Sequence, residues 1–324
     1  MFVSGAALRH LTTEQRNDRS RGLDQKSTLQ ILRVLNHEDA RVATAVRREL
    51  PEIARAVDAI VAAFREGGRL FYIGAGTSGR LAVLDAAECP PTFGTPPKMV
   101  QALIAGGKRA VLQAVEGAED SAANGARDLA KAGLTRRDAV VGIAASGTTP
   151  YVLGGLSFAR KRGAATIGVT SNPRSPVARE ARIAIAPETG PEAIAGSTRL
   201  KAGTAQKMVL NMLSTASMVR LGRVYENRMV YMVPTNEKLR KRGVWILEET
   251  AGVKASAAEH ALRRTRHDLP LALVMLRTGS SLAQARKLLR QTKGNVRQAL
   301  EAAQLNSSAH SQQRRGTTKS GKHQ

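Results

Sequence analysis

The chain has 324 residues, of which 42% are apolar, enough for one large or two modest domains and too many for wholesale disorder. Fifty Lys and Arg against 26 Asp and Glu leave a net charge of +24, which raises nucleic acid as a partner, yet aromatics at 3% leave little to stack on single-stranded bases. The single cysteine, Cys89, excludes an internal disulfide and cysteine-built zinc sites, and no run of 18 apolar residues could cross a membrane. A soluble chain in the reducing cytoplasm is expected.

Behind Ser27, residues 28–50 carry apolar side chains at helical spacing, and Pro51 opens a second helix that stops at Gly67 and Gly68. Both read as amphipathic helices that lie against something larger. From Arg69 the rhythm changes to short apolar runs: RLFYIGAG, MVQALIAGG at 99–107, DAVVGIAASG at 138–147, AATIGVTSN at 164–172 and RIAIAP at 182–187. Helical patterns lie between several of them, including residues 78–87, 119–134 and 151–163. Strands without alternation, separated by helices, predict a parallel sheet covered on both faces. Residues 204–222 predict a long, deeply buried helix.

Beyond Trp245 the composition shifts to short helical patterns, with LALVML the one strand-like run. This stretch is rich in arginine and lysine (Arg263, Arg264, Arg266, Arg277, Arg286, Lys287, Arg290, Lys293 and Arg297) and reads as a small separate domain. The expected divisions are an N-terminal helical segment at 1–55, a sheet domain at 56–240, a small helical domain at 241–303 and a disordered basic tail at 304–324.

The run FYIGAGTSGR contains Gly74, Gly76 and Gly79, formally a dinucleotide-type glycine pattern. That reading requires an acid on a strand end about 20 residues on, and none lies near position 99. What the loop offers instead is Thr77 and Ser78 at a helix N-terminus, where backbone amides and hydroxyls suit an anion. A tight turn with a hydroxyl cap is the plainer reading of this loop alone. The segment Ala145-Ser146-Gly147-Thr148-Thr149-Pro150 repeats the device after another strand. Strand-end loops of a doubly wound sheet open at one edge, so two hydroxyl loops there favour a small phosphate-bearing ligand over coincidental caps.

Two acidic stretches stand out in this basic chain: Asp85 and Glu88 in DAAECPPTFG, and Glu116, Glu119 and Asp120 in EGAEDS. Two carboxylates with separated pKa values can remove and donate protons beside a bound sugar, although either stretch alone reads as helix-end charge. Cys89 lacks an evident histidine partner and reads as a packing residue. The six histidines show no ligand spacing, so no metal is expected.

The motifs LTTEQRN, IGAGTSGRL, DAAECPPTFG, LIAGG, AVEGAEDS, VVGIAASGTTPYV, SNP, STRLKAGTAQKMVLNMLSTASM and TNEKL make the chain resemble the N-acetylmuramic acid 6-phosphate etherases of the sugar isomerase (SIS) domain superfamily, over about residues 11–303. The resemblance implies a three-layer αβα SIS domain with a five-stranded parallel sheet, N-terminal helices and a small C-terminal helical domain similar to ubiquitin-associated (UBA) folds. It implies a homodimer with sites near its interface, no cofactor, and cleavage of the D-lactyl ether of N-acetylmuramate 6-phosphate to N-acetylglucosamine 6-phosphate and D-lactate. It makes Glu88 and Glu119 the catalytic pair and places the phosphate on Ser78, Ser146 and Thr149, with Thr77, Gly79, Gly147 and Thr148 beside them. Lys201 is a candidate substrate-contacting cation or, equally, a surface lysine at a helix start. Thr148 stands where the family commonly has arginine, and Tyr231 and Pro234 replace an aspartate and a small residue.

A sugar-phosphate-sensing regulator on the same fold is the alternative, but it has no use for both Glu88 and Glu119 and the segment before Arg69 lacks a recognisable helix-turn-helix. An aldose–ketose isomerase would share the phosphate loops but not AECPP and EGAED. Host-genome composition is the favoured source of the basic excess. A basic tail can attract nucleic acid weakly and salt-sensitively, a role this reading does not favour.

Overall fold

The computed structural model of the chain describes residues 11–305. Strands β1 (Leu70–Gly74), β2 (Val100–Ile104), β3 (Ala139–Ile143), β4 (Ala165–Val169) and β5 (Ile183–Ile185) form one parallel sheet in the order β2-β1-β3-β4-β5. Each falls inside one of the five predicted apolar runs. β1 and β3 are buried along their whole length, as central strands covered on both faces must be, whereas edge strand β2 leaves its three middle residues partly open.

Before the sheet come helices α1 (Thr28–Asp39), α2 (Val42–Arg48) and α3 (Leu50–Arg65), the last with Pro51 in its first turn. α3 buries Ile53, Val57, Ile60, Val61 and Phe64 and packs on the sheet. α1 differs from expectation: Leu29 and Leu32 remain exposed, and Glu38 is its one buried residue. The connections after the strands carry α4 (Gly76–Phe93), α5 (Arg109–Leu112), α6 (Ala122–Lys131), α7 (Pro150–Lys161) and α8 (Pro176–Glu180), and β5 is followed by the long helix α9 (Lys201–Arg220). α9 buries Ala202, Ala205, Val209, Leu210 and Leu213 as its sequence predicts, and with them the polar Gln206, Ser214 and Ser217. α4 runs past the predicted end at residue 87 through Pro90 and Pro91; the two prolines leave the carbonyls of Ala86 and Ala87 without their helical N–H donors, yet Gly94 N–H still closes the last turn on Pro90 O at 2.9 Å.

The chain divides into two compact units. The first runs to Cys89 and resumes from Pro96 to Ser217; the second combines Pro90–Thr95 with the chain from Met218 on. The division falls at Ser217 rather than near residue 240, because Tyr225, Val230 and Met232 are buried in one cluster with Ile246, Leu247 and Leu273. The second unit is helical, with α10 (Glu237–Ala251), α11 (Ala255–Arg264), α12 (Leu269–Thr278), α13 (Leu282–Gln291) and a helix over residues 296–305. LALVML, strand-like in sequence, lies in α12. Pro270 in the first turn and the Asp268 carboxylate, accepting from Leu271 N–H at 3.0 Å, start a helix there, and Leu269–Met275 are buried throughout. Tyr231 is fixed within this unit by its hydroxyl on Gly294 O and by the Arg223 guanidinium over its ring. Apart from its first two residues, the expected tail lies outside the described residues. Among the described residues no helix is long and apolar enough to cross a membrane.

Candidate functional site

The chain leaves β1 for β2 on one side and later returns to β3 on the other, so a topological switch lies between β1 and β3. Gly74 pairs with Ile143, which starts the two hydroxyl loops at the same level of the carboxyl edge. This is where an open α/β sheet leaves a crevice for a ligand.

The first loop is a single residue, Ala75, before α4 begins. Gly79 packs so closely on β2 that a Cβ there would lie 2.5 Å from Ile104 Cγ1. Thr77 is partly open, while Ser78 is buried and donates its hydroxyl to Gln206 Oε1 at 2.9 Å. In that arrangement Gln206 Nε2 is buried without a partner.

In the second loop Gly147 takes a φ of 72°, open to glycine at little cost, and a Cβ there would lie 2.2 Å from Ser175 Oγ. Ser146 Oγ and Thr148 Oγ1 share a hydrogen bond of 3.0 Å, and Thr148 N–H donates to Ser146 Oγ at 3.2 Å. Asn172 Nδ2 holds the loop from beneath by donating to Ala145 O and Ser146 O. Thr149 starts α7 with its hydroxyl uncommitted to the cap, and both Ser146 and Thr149 are partly open.

Glu119 sits in a short turn, Ala118–Asp120, before α6. A cavity of about 180 Å³ beside the first loop is lined by Ala75, Gly76, Arg80, Val115, Glu116 and Glu119, among others. Desolvation first, and then the like charges of Asp120 and Glu116, raise the Glu119 carboxyl above its ordinary value. That is the direction a base working near neutral pH needs.

Glu88 is placed otherwise. It lies ten residues past Ser78 on α4, about 15 Å along the axis at 1.5 Å per residue. Its side chain is exposed, as that of Glu119 also is, and lies on the same side of the helix as exposed Leu84 one turn earlier. Within the single chain, Glu119 and the first loop therefore share a cavity that Glu88 does not line. The inward carboxylate of this stretch is Asp85, which accepts from Tyr72 Oη at 2.9 Å, Asn211 Nδ2 at 2.8 Å and Ser214 Oγ at 3.0 Å, tying β1, α4 and α9 together. Burial raises its carboxyl despite these donors.

Lys201 is neither on the surface nor open to the crevice. Its side chain is 1% exposed, and Nζ donates to Glu38 Oε2 at 2.5 Å. Arg19 Nε and Asn17 Nδ2 complete the cluster at 2.6 and 2.7 Å, while the Glu192 carboxylate caps α9 through Lys201 N–H and Ala202 N–H. Cys89 is buried and its thiol is pushed up to about 12 by burial and then by Asp85 and Glu88, which makes it a packing residue. Among the described residues no three His, Cys, Asp or Glu side chains converge as metal ligands would.

Three residues escaped the sequence reading. Arg80 closes the GTSGR motif and lines the cavity, Gln206 in TAQK meets Ser78, and Glu38 neutralises Lys201. For the first two the signal was their place inside a motif; for Glu38, at a sequence distance of 163 residues from its partner, there was none.

Residues 52–160 match the glucokinase regulatory protein N-terminal SIS domain, and residues 118–216 match the SIS domain. Among solved structures, a phosphoheptose isomerase from Francisella tularensis is 19% identical, with a TM-score of 0.48 over 59% of this chain and 98% of that one. The N-acetylmuramic acid 6-phosphate etherases of Yersinia pestis (strain Pestoides F) and of Yersinia pseudotuberculosis serotype O:1b (strain IP 31758) are each 55% identical over 290 residues. Those alignments span 90% of this chain and 98% of each relative. At that identity, over nearly the whole length of its relatives, the chain belongs to the N-acetylmuramic acid 6-phosphate etherase family.

Proposed function

We propose that the chain cleaves the D-lactyl ether of N-acetylmuramate 6-phosphate, giving N-acetylglucosamine 6-phosphate and D-lactate. The observation that carries this reading, beside family membership, is that Glu119, with its raised carboxyl, shares one cavity with Ala75 and Gly76, which lead into Thr77 and Ser78 at the carboxyl edge of the sheet. An alkoxide is a poor leaving group, so direct hydrolysis of an ether is slow. Opening the sugar ring exposes an aldehyde at carbon 1, which acidifies the proton at carbon 2. Glu119 removes that proton, the carbon 3–oxygen bond breaks, and Glu88 protonates the departing lactate. Water then adds across the carbon 2–carbon 3 double bond, its hydroxyl to carbon 3 and a proton to carbon 2, which returns both carboxyls to their starting forms. Ser78, Ser146 and Thr149 hold the phosphate, with Thr77, Gly79, Gly147 and Thr148 shaping the two loops.

The protein acts as a homodimer whose second copy covers the outer face of α4 and so brings Glu88 into a completed site. The exposed Leu84 beside Glu88 and the exposed Leu29 and Leu32 of α1 support such an interface. Docking over Glu88 supplies the desolvation that a general acid requires. The protein works in the cytoplasm, where sugar 6-phosphates are held.

Running the reaction in deuterated, ¹⁸O-labelled water tests the chemistry. Elimination and addition place deuterium at carbon 2 and ¹⁸O at carbon 3 of the amino sugar. Label in the lactate hydroxyl instead would mean cleavage on the lactyl side and would refute the scheme. Sedimentation velocity tests the dimer; a monomer at assay concentration with full activity would refute the shared site.

A further inference from the structure

The proposed substrate carries two anions, a phosphate on carbon 6 and the carboxylate of the lactyl group on carbon 3. The hydroxyl loops account for the first. The second must enter near Glu119, in a cavity that already holds Glu116 and Glu119. A third carboxylate there is repelled unless a cation meets it.

Among the described residues Arg80 is the one cation lining that cavity. Its Nε donates to Val111 O and its Nη2 to Gln113 O, both at 3.1 Å, so two backbone carbonyls fix the plane of the guanidinium. It makes no ion pair with Glu116 or Glu119, and its Nη1 donates to no protein group among the described residues. Arg80 also lies about 200° round α4 from Ser78, at 3.6 residues per turn, and so faces away from the hydroxyl that meets Gln206. A pre-oriented cation with unspent donors, beside the base and turned from the phosphate loops, has the chemistry of a carboxylate receiver.

We infer that Arg80 binds the lactyl carboxylate and selects for the 3-O-lactyl sugar over the same sugar without it. The inference rests on the etherase reading above. It also gives Arg80 a part in catalysis, since a fixed carboxylate holds the carbon 3–oxygen bond in line for departure.

The test compares wild type, Arg80→Gln and Arg80→Lys on three ligands: N-acetylmuramate 6-phosphate, its lactyl carboxamide, and N-acetylglucosamine 6-phosphate, which has no lactyl group. Affinities are read by calorimetry with product release alongside. Wild type is expected to bind the acid about 10- to 100-fold more tightly than the carboxamide, the range of a charge-assisted contact. Arg80→Gln should lose that preference while keeping the affinity for N-acetylglucosamine 6-phosphate, and Arg80→Lys should recover part of it. Equal binding of acid and carboxamide by wild type overturns the inference. So does an Arg80→Gln variant that retains the preference, or one that loses all three ligands by the same factor, which would make Arg80 a phosphate or loop-holding residue. A wild type that prefers the acid but releases no lactate refutes the etherase reading and leaves the carboxylate site standing.

Discussion

Replacing Glu38 by glutamine removes the carboxylate around which the start of α9 is organised. Glu38 is 1% exposed and accepts from Lys201, Arg19 and Asn17. Burial alone would raise its carboxyl, but hydrogen bonds from Lys201, then Arg19 and Asn17, hold it at about 2 against an ordinary 4.5. At about 1.4 kcal/mol per pKa unit, that difference is worth on the order of 3 kcal/mol to the native state at neutral pH. A depressed carboxyl contributes fully above its unfolded value and loses the contribution as pH falls through its folded one, so the window runs from about 4.5 down to about 2. Glutamine also leaves the Lys201 ammonium buried without a counter-charge, and breaking a buried pair from one side costs about 3–5 kcal/mol. Arg19, half exposed, recovers little of this. Glu38→Gln should therefore be less stable than wild type by about 3–5 kcal/mol at pH 7, with the gap narrowing as pH falls below about 4.5. Urea unfolding followed by circular dichroism at a series of pH values measures it. A gap under about 1 kcal/mol at pH 7, or one that stays constant down to pH 3, would show that the cluster contributes nothing beyond a surface pair.

Asp85→Ala strips the acceptor from Tyr72, Asn211 and Ser214 and should cost about 3 kcal/mol in urea unfolding. Asp85→Asn keeps the shape and one acceptor, and because burial raises the native carboxyl, whose ionisation costs stability as pH climbs, it should gain on wild type as pH rises above the ordinary 3.8. Gly147→Ala forces a Cβ to within 2.2 Å of Ser175 Oγ at a φ of 72°, and should lower stability by about 1–3 kcal/mol and weaken binding of N-acetylglucosamine 6-phosphate in calorimetry. Cys89→Ala should keep near wild-type turnover, and native Cys89 should resist thiol reagents; a tenfold loss of rate would assign the thiol a role that its burial denies it.

The sheet was legible because five short apolar runs such as LFYIG alternate with helical patterns, as strands of a parallel sheet covered on both faces do. The loops were legible because glycines and hydroxyls cluster directly where the apolar runs of β1 and β3 end. LALVML was misread as strand-like, since a short apolar run has no period to separate strand from buried helix; Asp268 and Pro270 held the answer. The exposure of Leu29 and Leu32 could not be read either, because an amphipathic helix announces an apolar face without saying what covers it. Asp85 and Glu88 looked equivalent as acids, yet three residues along α4 separate an inward keystone from an exposed side chain. Lys201 was ambiguous because a lysine at a helix start reveals nothing of a glutamate far back in the chain.

The most direct measurement is D-lactate release from N-acetylmuramate 6-phosphate by wild type, Glu119→Ala and Glu88→Ala, with binding of N-acetylglucosamine 6-phosphate measured on the same preparations. Release by wild type, collapsing in both variants while the product still binds, is the expected result. Near-normal release by either variant would remove that glutamate from the chemistry. Tight sugar-phosphate binding without any release by wild type would contradict the enzyme reading and make the protein a sensor on the same fold.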